Sequence, residues 1–282
     1  MKFFKIKAHA KINFSLNIIG KFSSGLHKIE SLVGFLRLHD TIYIRPIKSI
    51  KHKVSFKGKF SKNINNSNTV IKLLRILDQK KLLSNKKFEV KVIKNIPQKS
   101  GMGGGSMNAA SLINFFVKKK LIKLSKKKIA KLSRLIGSDV LLGINPQNSV
   151  LISNEKIKKS SKKIGFYSLV TKPDFGCSTK LIYSYVRKYS KPQYTSLKMR
   201  FLSRSNIIKS NNALEQIVLQ KYPKLKNLKL FLSKLPNVVF VRMTGSGSSI
   251  VAYFYSKKAL DIAARKFRKK FNNYWFISSK TI

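Results

Sequence analysis

The chain has 282 residues, 43% of them hydrophobic, which is enough for one large or two ordinary domains with a real core. Its 60 Lys and Arg against 9 Asp and Glu give a net charge of +51, but the basic residues are spread through every segment, which favours a composition bias on solvated faces over a dedicated nucleic-acid surface. The single Cys177 excludes an internal disulfide, and we find neither an apolar run of about 18 residues nor a signal peptide, so we predict a cytoplasmic protein without a membrane span.

The N-terminal segment alternates strictly between apolar and polar residues from Ile6 to Ile18. This period of two predicts one long strand that is packed on one face and polar on the other. Two further alternating runs, 41–45 and 53–57, predict more strands, and 70–77 predicts a helix.

The middle of the chain continues with a strand at 88–92, a glycine-rich loop and a helix. Ser125 is a candidate N-cap of the next helix, which we expect to end at Gly137, before a strand at 149–152. The Lys-rich span 155–163 is interpreted as a hinge or surface loop, and we place the domain boundary there, which gives domains at 1–155 and 156–282.

The second half predicts the order β-α-β-β-α-β, which is typical of a ferredoxin-like domain. Its first strand lies at 167–171 and its first long helix begins at Pro223. The segment 238–255 is predicted as strand, glycine turn and strand, followed by a helix at 257–271 and a final strand.

The segment Asn95–Ala110 is the most informative one, because four glycines fall in five positions between a strand and a helix. Glycines there let the backbone approach a ligand closely, and the following helix directs its partly positive N-terminus at it. We interpret the loop as a phosphate site. Its spacing matches neither Walker A nor the dinucleotide fingerprint, and a plain surface turn is the alternative.

Three separated segments resemble the GHMP kinase superfamily, and within it the family of 4-diphosphocytidyl-2-C-methyl-D-erythritol kinases. These are Ala8-His-Ala-Lys-Ile-Asn-Phe-Ser-Leu16 with Gly25-Leu-His27, the glycine loop from Ile96-Pro97 to Ala110, and Met243-Thr-Gly-Ser-Gly-Ser248. Gly137-Ser-Asp139-Val and Asn212-Ala-Leu-Glu215 add local matches. The resemblance covers about residues 6–255. It implies an α+β, two-domain GHMP kinase fold, with an N-terminal domain like domain 2 of ribosomal protein S5 and a ferredoxin-like C-terminal domain.

The resemblance also implies an ATP site and a catalytic pair. Lys11 and Asp139 stand at the positions of the family's catalytic lysine and aspartate, and we expect them to converge beside the phosphates. On pattern alone, Lys11 would be an exposed lysine and Asp139 a turn or capping residue. The expected ATP-binding residues are Pro97, Gln98, Lys99, Ser100, Gly101, Met102, Gly103, Gly104, Gly105, Ser106 and Met107.

For the acceptor, the resemblance implies a cytidine diphosphate headgroup bound by Asn13, His27, Thr179 and Tyr183. His27 would contact the cytosine edge and Tyr183 would stack on the base, although a core tyrosine is the alternative reading. Leu26 replaces the family's usual tyrosine, so one side of the base would be aliphatic. Lys99, Ser100 and Met107 also depart from the family's loop.

The resulting prediction is a kinase that uses ATP to phosphorylate the 2-hydroxyl of 4-diphosphocytidyl-2-C-methyl-D-erythritol in the non-mevalonate isoprenoid pathway. Mg²⁺ is expected with ATP, but no protein ligand for it or for zinc is predicted. The alternatives are a homoserine or mevalonate-type kinase, and a basic nucleic-acid-binding protein. We predict no specific nucleic-acid partner and no membrane partner, and the oligomeric state stays open.

Overall fold

The computed structural model describes residues 2–65, 67–153, 156–194 and 199–282, and of Met199 the backbone only. The elements in chain order are β1 (Phe4–Asn13), β2 (Asn17–Lys21), β3 (His27–Ile47), β4 (Lys53–Lys57), α1 (Thr69–Gln79), β5 (Lys87–Ile93), α2 (Gly104–Lys118), α3 (Lys126–Ile136), α4 (Val140–Gly143), β6 (Asn148–Ile152), β7 (Lys156–Ser160), β8 (Tyr167–Lys172), α5 (Thr179–Ser184), a 3-10 turn (Met199–Leu202), α6 (Arg204–Lys209), α7 (Glu215–Lys221), α8 (Pro223–Ser233), β9 (Phe240–Met243), β10 (Ile250–Phe254), α9 (Lys257–Lys270) and β11 (Trp275–Lys280).

These elements form two compact units that are not continuous in sequence. The first unit contains Met1–Ala10, Leu38–Pro97 and Gly103–Pro146, and the second contains Lys11–Arg37, Gln98–Met102 and Gln147–Ile282. The boundary at residue 155 that the sequence suggests stays a prediction. Both β1 and β3 contribute residues to each unit.

In the first unit, β5 pairs antiparallel with residues 41–47 of β3 and parallel with β4. Helix α1 begins where the Asn68 side chain accepts hydrogen bonds from two backbone N–H groups, and the Ser125 side chain caps α3 by accepting one. Both helices turn apolar residues inward, as do the buried side chains Phe88, Val90 and Val92 of β5. The strands predicted at 41–45, 53–57 and 88–92 and the helices predicted at 70–77 and after Ser125 are therefore confirmed.

In the second unit, an antiparallel sheet has the strand order β11-β8-β10-β9. Helices α8 and α9 contribute Leu225, Leu228, Leu232, Ala263 and Phe267 to its core. The order β8-α8-β9-β10-α9-β11, with α5 to α7 inserted before α8, confirms the predicted ferredoxin-like arrangement. Residues 27–33 of β3 pair with β2 and β6 in the same unit.

Two predictions about local structure were wrong. The expected strand over Ile6–Ile18 is broken at residues 14–16, where the N–H groups of Phe14 and Ser15 both donate to the carbonyl of Leu32. The second half of the run is also buried on both faces, including Lys11 and Asn13. Alternation alone could not show this, because period two reports only which residues share a face.

The second error concerns the Lys-rich span predicted as a surface loop. Residues 156–160 form strand β7, which pairs antiparallel with β6 from Asn148 to Ile152. Backbone pairing with an apolar strand outweighs the weak strand preference of lysine. Residues 154 and 155, at the predicted boundary, lie outside the described residues. Within the described part of the chain, no helix has the length and apolar character of a membrane span.

Candidate active site

The end of β1 carries two buried polar side chains, Lys11 and Asn13. Lys11 is only 5% exposed, and its Nζ donates a 2.7 Å hydrogen bond to Oδ1 of Asn13. Asn13 in turn donates through Nδ2 to Oγ of Ser31 at 2.8 Å. A buried ammonium group is costly unless its surroundings compensate for lost water, so Lys11 is not the solvated surface lysine that its pattern alone suggests. The side chain of Asn13 is oriented by both contacts.

The glycine loop meets the end of β1 within the second unit. The backbone N–H of Lys11 donates to the carbonyl of Met102 at 3.1 Å. Gly101 has φ +74°, and a Cβ there would lie 2.0 Å from the carbonyl oxygen of Thr244. Both the left-handed backbone and the lack of space require glycine. The first half of the predicted ATP loop is thus held against β1 and the turn that follows β9.

That turn, residues 244–249, is a second glycine-rich segment beside the loop. Oγ of Thr244 accepts the N–H of Asn13 at 3.0 Å and donates to the carbonyl of Gly101 at 3.3 Å. The N–H groups of Ser248 and Ser249 donate to the carbonyls of Lys99 and Ser100, both at 3.4 Å. We did not predict Thr244 as a site residue. Thr244 belongs to the Thr-Gly-Ser-Gly-Ser motif, which matches the family, but the motif alone indicates no role for it.

In the first unit, the loop ends at the N-terminus of α2. Gly103 takes the left-handed conformation with φ 64° just before the helix. A Cβ on Gly104 would lie 3.1 Å from the side chain of Ile96, so even a methyl group would fit tightly there. No described side chain caps this helix start. The first N–H groups of a helix have no intrahelical acceptor, and the helix dipole adds positive potential, so this end of α2 has the chemistry of a phosphate site.

A buried ion pair supports the start of the loop. Asp40 is fully buried, pairs with Nζ of Lys94, and accepts the N–H groups of Asn95 and Ile96 at 2.8 Å each. One carboxylate therefore fixes three consecutive residues at the end of β5. Sequence reasoning missed this role, although the scarcity of carboxylates was a signal that each deserved an explanation.

Asp139 lies at the turn between α3 and α4, in the first unit. It is half-buried, and its carbonyl accepts the N–H of Leu142 at 3.2 Å at the start of α4. The same turn passes close to the helix that carries the glycine loop, because a Cβ on Gly137 would lie 3.5 Å from Oγ of Ser106. The first unit thus brings the Asp139 turn and the start of α2 together. Lys11 belongs to the second unit, and its convergence with Asp139 stays a prediction.

The predicted acceptor residues all belong to the second unit. The rings of His27 and Tyr183 have centroids 5.1 Å apart at an interplanar angle of 47°. Burial lowers the pKa of His27, and the nearby charge of Lys21 lowers it further, so both effects favour the neutral imidazole. Thr179 begins α5 and its hydroxyl lies 2.8 Å from Oγ of Ser246 in the turn at 244–249.

Two features bear on the predicted base pocket. Leu26, next to His27, is 68% exposed and therefore lies outside the core. Tyr183 packs against the core of the second unit and is only partly buried. The reading of Tyr183 as a core tyrosine and the reading as a stacking residue are both compatible with this position.

No cluster of three or more His, Cys, Asp or Glu side chains that could hold a metal ion is found in the described ranges. Nucleotide-bound Mg²⁺ commonly uses phosphate oxygens and water with only one or two protein ligands. The hydroxyl of Ser106, near the start of α2, is an oxygen donor of the kind that such an ion accepts.

Two family models match this chain. The model described as GHMP kinases N terminal domain matches residues 68–147, and the model described as GHMP kinases C terminal matches residues 198–273. The first match contains the glycine loop and Asp139, and the second contains the turn at 244–249.

Solved structures share the fold. A structure of a 4-(cytidine 5'-diphospho)-2C-methyl-D-erythritol kinase aligns with a TM-score of 0.80 and 21% identity over 99% of this chain and 100% of that one. A homoserine kinase from Cytophaga hutchinsonii aligns with a TM-score of 0.72 and 17% identity over 100% of this chain and 95% of that one. The predicted two-domain GHMP kinase fold is confirmed.

Relatives in sequence narrow the family. A 4-diphosphocytidyl-2-C-methyl-D-erythritol kinase of Pelagibacter ubique is 58% identical over 282 residues, which is 100% of both chains. A kinase of the same name from Clostridium tetani is 30% identical over 99% of this chain and 100% of its own. The chain therefore belongs to the GHMP kinases and, among them, to the family of 4-diphosphocytidyl-2-C-methyl-D-erythritol kinases.

Proposed function

We propose that this protein transfers the γ-phosphate of ATP to the 2-hydroxyl of 4-diphosphocytidyl-2-C-methyl-D-erythritol, a step in the non-mevalonate route to isoprenoid precursors. The observation that carries this proposal is the 58% identity, over the full length of both chains, to a relative of that name. The arrangement of polar residues around the glycine loop supports it.

ATP binding is assigned to residues 97–107. Gly101 and Gly103 hold the backbone in the left-handed region on either side of Met102, and α2 begins immediately afterwards. Successive N–H groups in such a loop and at such a helix start favour the charge of the triphosphate. The buried Asp40 keeps the entry to the loop in place, which limits the entropy lost when the nucleotide binds.

Proton removal from the acceptor hydroxyl is assigned to Asp139, and charge stabilisation to Lys11. Phosphoryl transfer asks the protein chiefly for positioning and for electrostatic stabilisation of the phosphoryl oxygens. A carboxylate is a suitable base for a hydroxyl that is attacking a phosphorus atom. The ammonium of Lys11 is held by Oδ1 of Asn13 and would favour the ionised carboxylate while it offsets charge on the phosphoryl group.

Acceptor binding is assigned to Asn13, His27, Thr179 and Tyr183. The neutral imidazole of His27 offers one donor and one acceptor, which suits the edge of a cytosine ring. Tyr183 would cover one face of the base, with the exposed Leu26 close by in sequence as an aliphatic contact. Thr179 would contact the acceptor through its hydroxyl, which is already oriented by Ser246.

Mg²⁺ bound with ATP would supply charge neutralisation on the β- and γ-phosphates. Ser106, at the start of α2 in the first unit, is the side chain that would help to hold it. A cytoplasmic location and the absence of a specific nucleic-acid or membrane partner remain predictions.

The deciding experiment is an ADP-release assay of the purified protein with ATP and a panel of acceptors: the cytidine compound, homoserine and mevalonate. We expect turnover of the cytidine compound alone. Turnover of homoserine without the cytidine compound would refute the proposal and favour the homoserine kinases, whose fold this chain also resembles.

The catalytic assignment is tested with Lys11→Ala and Asp139→Asn. We expect kcat to fall about 10²–10⁴-fold in Asp139→Asn, since general bases typically contribute that much. Lys7→Ala, an exposed position on the same strand as Lys11, and Asp261→Asn, an exposed carboxylate on α9, are the matched controls and should keep wild-type rates. A folded Asp139→Asn enzyme with full activity would remove the proposed base.

A further inference from the structure

We propose that Asn212 is a positioning residue for the kinase reaction, acting through Thr244 without touching either substrate. The inference rests on the proposed function for the reaction, but its contacts are those of the second unit alone. Asn212 stands in a short segment, residues 211–215, that we call the clip. The clip follows α6 and ends on the first residue of α7, and it is joined to the turn at 244–249 and to the segment that follows β1.

The clip holds the turn at 244–249 through side chains. Nδ2 of Asn212 donates to the carbonyl of Met243 at 2.9 Å and to the carbonyl of Gly245 at 2.8 Å, so one amide group ties down the residues on both sides of Thr244. Oε1 of Glu215 accepts the N–H of Met243 at 3.1 Å. Three hydrogen bonds from two buried side chains thus fix the backbone from which the Thr244 side chain projects.

The clip also holds the segment that follows β1, through its backbone. The N–H of Leu16 donates to the carbonyl of Asn211 at 3.0 Å, and the N–H of Ala213 donates to the carbonyl of Leu16 at 2.7 Å. Leu16 lies three residues after Asn13. The clip therefore fixes the distance between the end of β1 and the turn at 244–249.

Thr244 is the point where these constraints reach the site. Its hydroxyl accepts the N–H of Asn13 and donates to the carbonyl of Gly101, so it connects the strand of Lys11 to the glycine loop. The Thr244 hydroxyl can make both hydrogen bonds together only while the backbone that carries it stays in place. Small displacements of positioning groups are costly in rate, because the reacting atoms must stay aligned.

The chemistry of Asn212 makes a sharp test possible. In Asn212→Asp the volume is kept, but the amide that donates two bonds becomes an acceptor. A carboxylate oxygen would then face two carbonyl oxygens at 2.8–2.9 Å, and the turn must move. The matched control is Asn148→Asp. Asn148 is equally buried, on β6, and its Nδ2 donates to the carbonyls of Lys162 and Ile282 at 2.9 and 3.4 Å, away from the glycine segments.

The primary measurements are the Kd of a non-hydrolysable ATP analogue by calorimetry, and kcat and KM for both substrates. The melting temperature of each variant is measured as well. We expect Asn212→Asp to weaken analogue binding or to lower kcat/KM for ATP at least tenfold. Asn148→Asp should stay within twofold of wild type at a comparable loss of melting temperature. Equal kinetic effects in the two variants would overturn the proposal, since they would show a general effect of destabilisation.

A double-mutant cycle with Thr244→Val distinguishes an effect that acts through Thr244 from a general structural effect of Asn212→Asp. Because Asn212 is proposed to act through the Thr244 hydroxyl, Asn212→Asp should lower kcat/KM in the Thr244→Val background by less than threefold. Full additivity would overturn the proposal. If Asn212→Asp does not fold, Asn212→Ala enters the same cycle, with the same two outcomes.

The analogue-binding arm keeps the two hypotheses separate. A wild-type protein that binds the analogue but does not turn over the cytidine acceptor would refute the proposed function. The effect of Asn212→Asp on analogue binding would still decide the role of the clip.

Discussion

Gly101→Ala is expected to destabilise the second unit and to damage the nucleotide site. Gly101 has φ +74°, where a residue with a Cβ costs about 1–2 kcal/mol, and the loss of chain entropy in the unfolded state returns about 0.4–1 kcal/mol. The new Cβ would lie 2.0 Å from the carbonyl oxygen of Thr244, so backbone must move by about 1 Å to reach even a tight contact. Overpacking of this kind costs about 1–3 kcal/mol. The net destabilisation is therefore about 1–5 kcal/mol.

Gly25→Ala is the matched control. Gly25 has φ +79°, but a Cβ added there would meet no atom within 4 Å, so only the backbone term of about 1 kcal/mol applies. The difference between the two variants isolates the contact with Thr244.

The assay is urea unfolding followed by the fluorescence of Trp275, the single tryptophan of the chain. Trp275 lies in β11 of the second unit, the unit that also contains Gly101, Thr244 and Gly25. The fluorescence therefore reports the unfolding of the second unit even if the two units unfold separately. Equal destabilisation by Gly101→Ala and Gly25→Ala would refute the close approach of the two glycine segments.

Three further predictions follow from buried or shifted groups. Asp40→Ala should destabilise the first unit by about 3–5 kcal/mol, because the Lys94 ammonium loses its buried partner. Hydrogen exchange of peptides from residues 87–97 should become faster. Unchanged protection of these peptides would contradict the role of the ion pair. The KM for the cytidine acceptor should rise as the pH falls, with a midpoint below pH 6.5, because burial and the charge of Lys21 lower the pKa of His27 and its neutral form is the proposed ligand. A rise centred at pH 6.5 or above would argue against this environment. Burial lowers the pKa of Lys159 to about 8, so about half of its amine is uncharged at pH 8, against roughly 0.4% for an ordinary lysine of pKa about 10.4. Brief acylation at pH 8 with mass-spectrometric mapping should therefore label Lys159 ahead of the exposed Lys158, and the reverse order would refute the shift.

Local signals were sufficient for most of the secondary structure. The Ser125 cap, the Pro223 helix start and the alternation in β5 depend on residues close in sequence, so their patterns determine the element directly. The motifs also indicate the family, because three short segments with fixed residue types match it.

Burial was the property that local patterns could not report. Lys11 and Asn13 occupy the polar face of an alternating run, yet both are buried. In the second unit their backbone N–H groups donate to the loop at 98–102 and the turn at 244–249, and the Asn13 side chain donates to Ser31. Strand β7 is a related case, since its lysines become a strand only through pairing with β6.

The sequence by itself determined the kind of site: a glycine loop before a helix, a lysine on a strand, and an aspartate past a helix end. Only the tertiary structure decided how the loop is held. Asp40, Thr244 and Asn212 act through hydrogen bonds to residues far away in the chain, the longest joining Thr244 to Asn13 across 231 positions. Such bonds depend on where the backbone carbonyls and N–H groups of other segments come to lie, and no spacing within one segment encodes that.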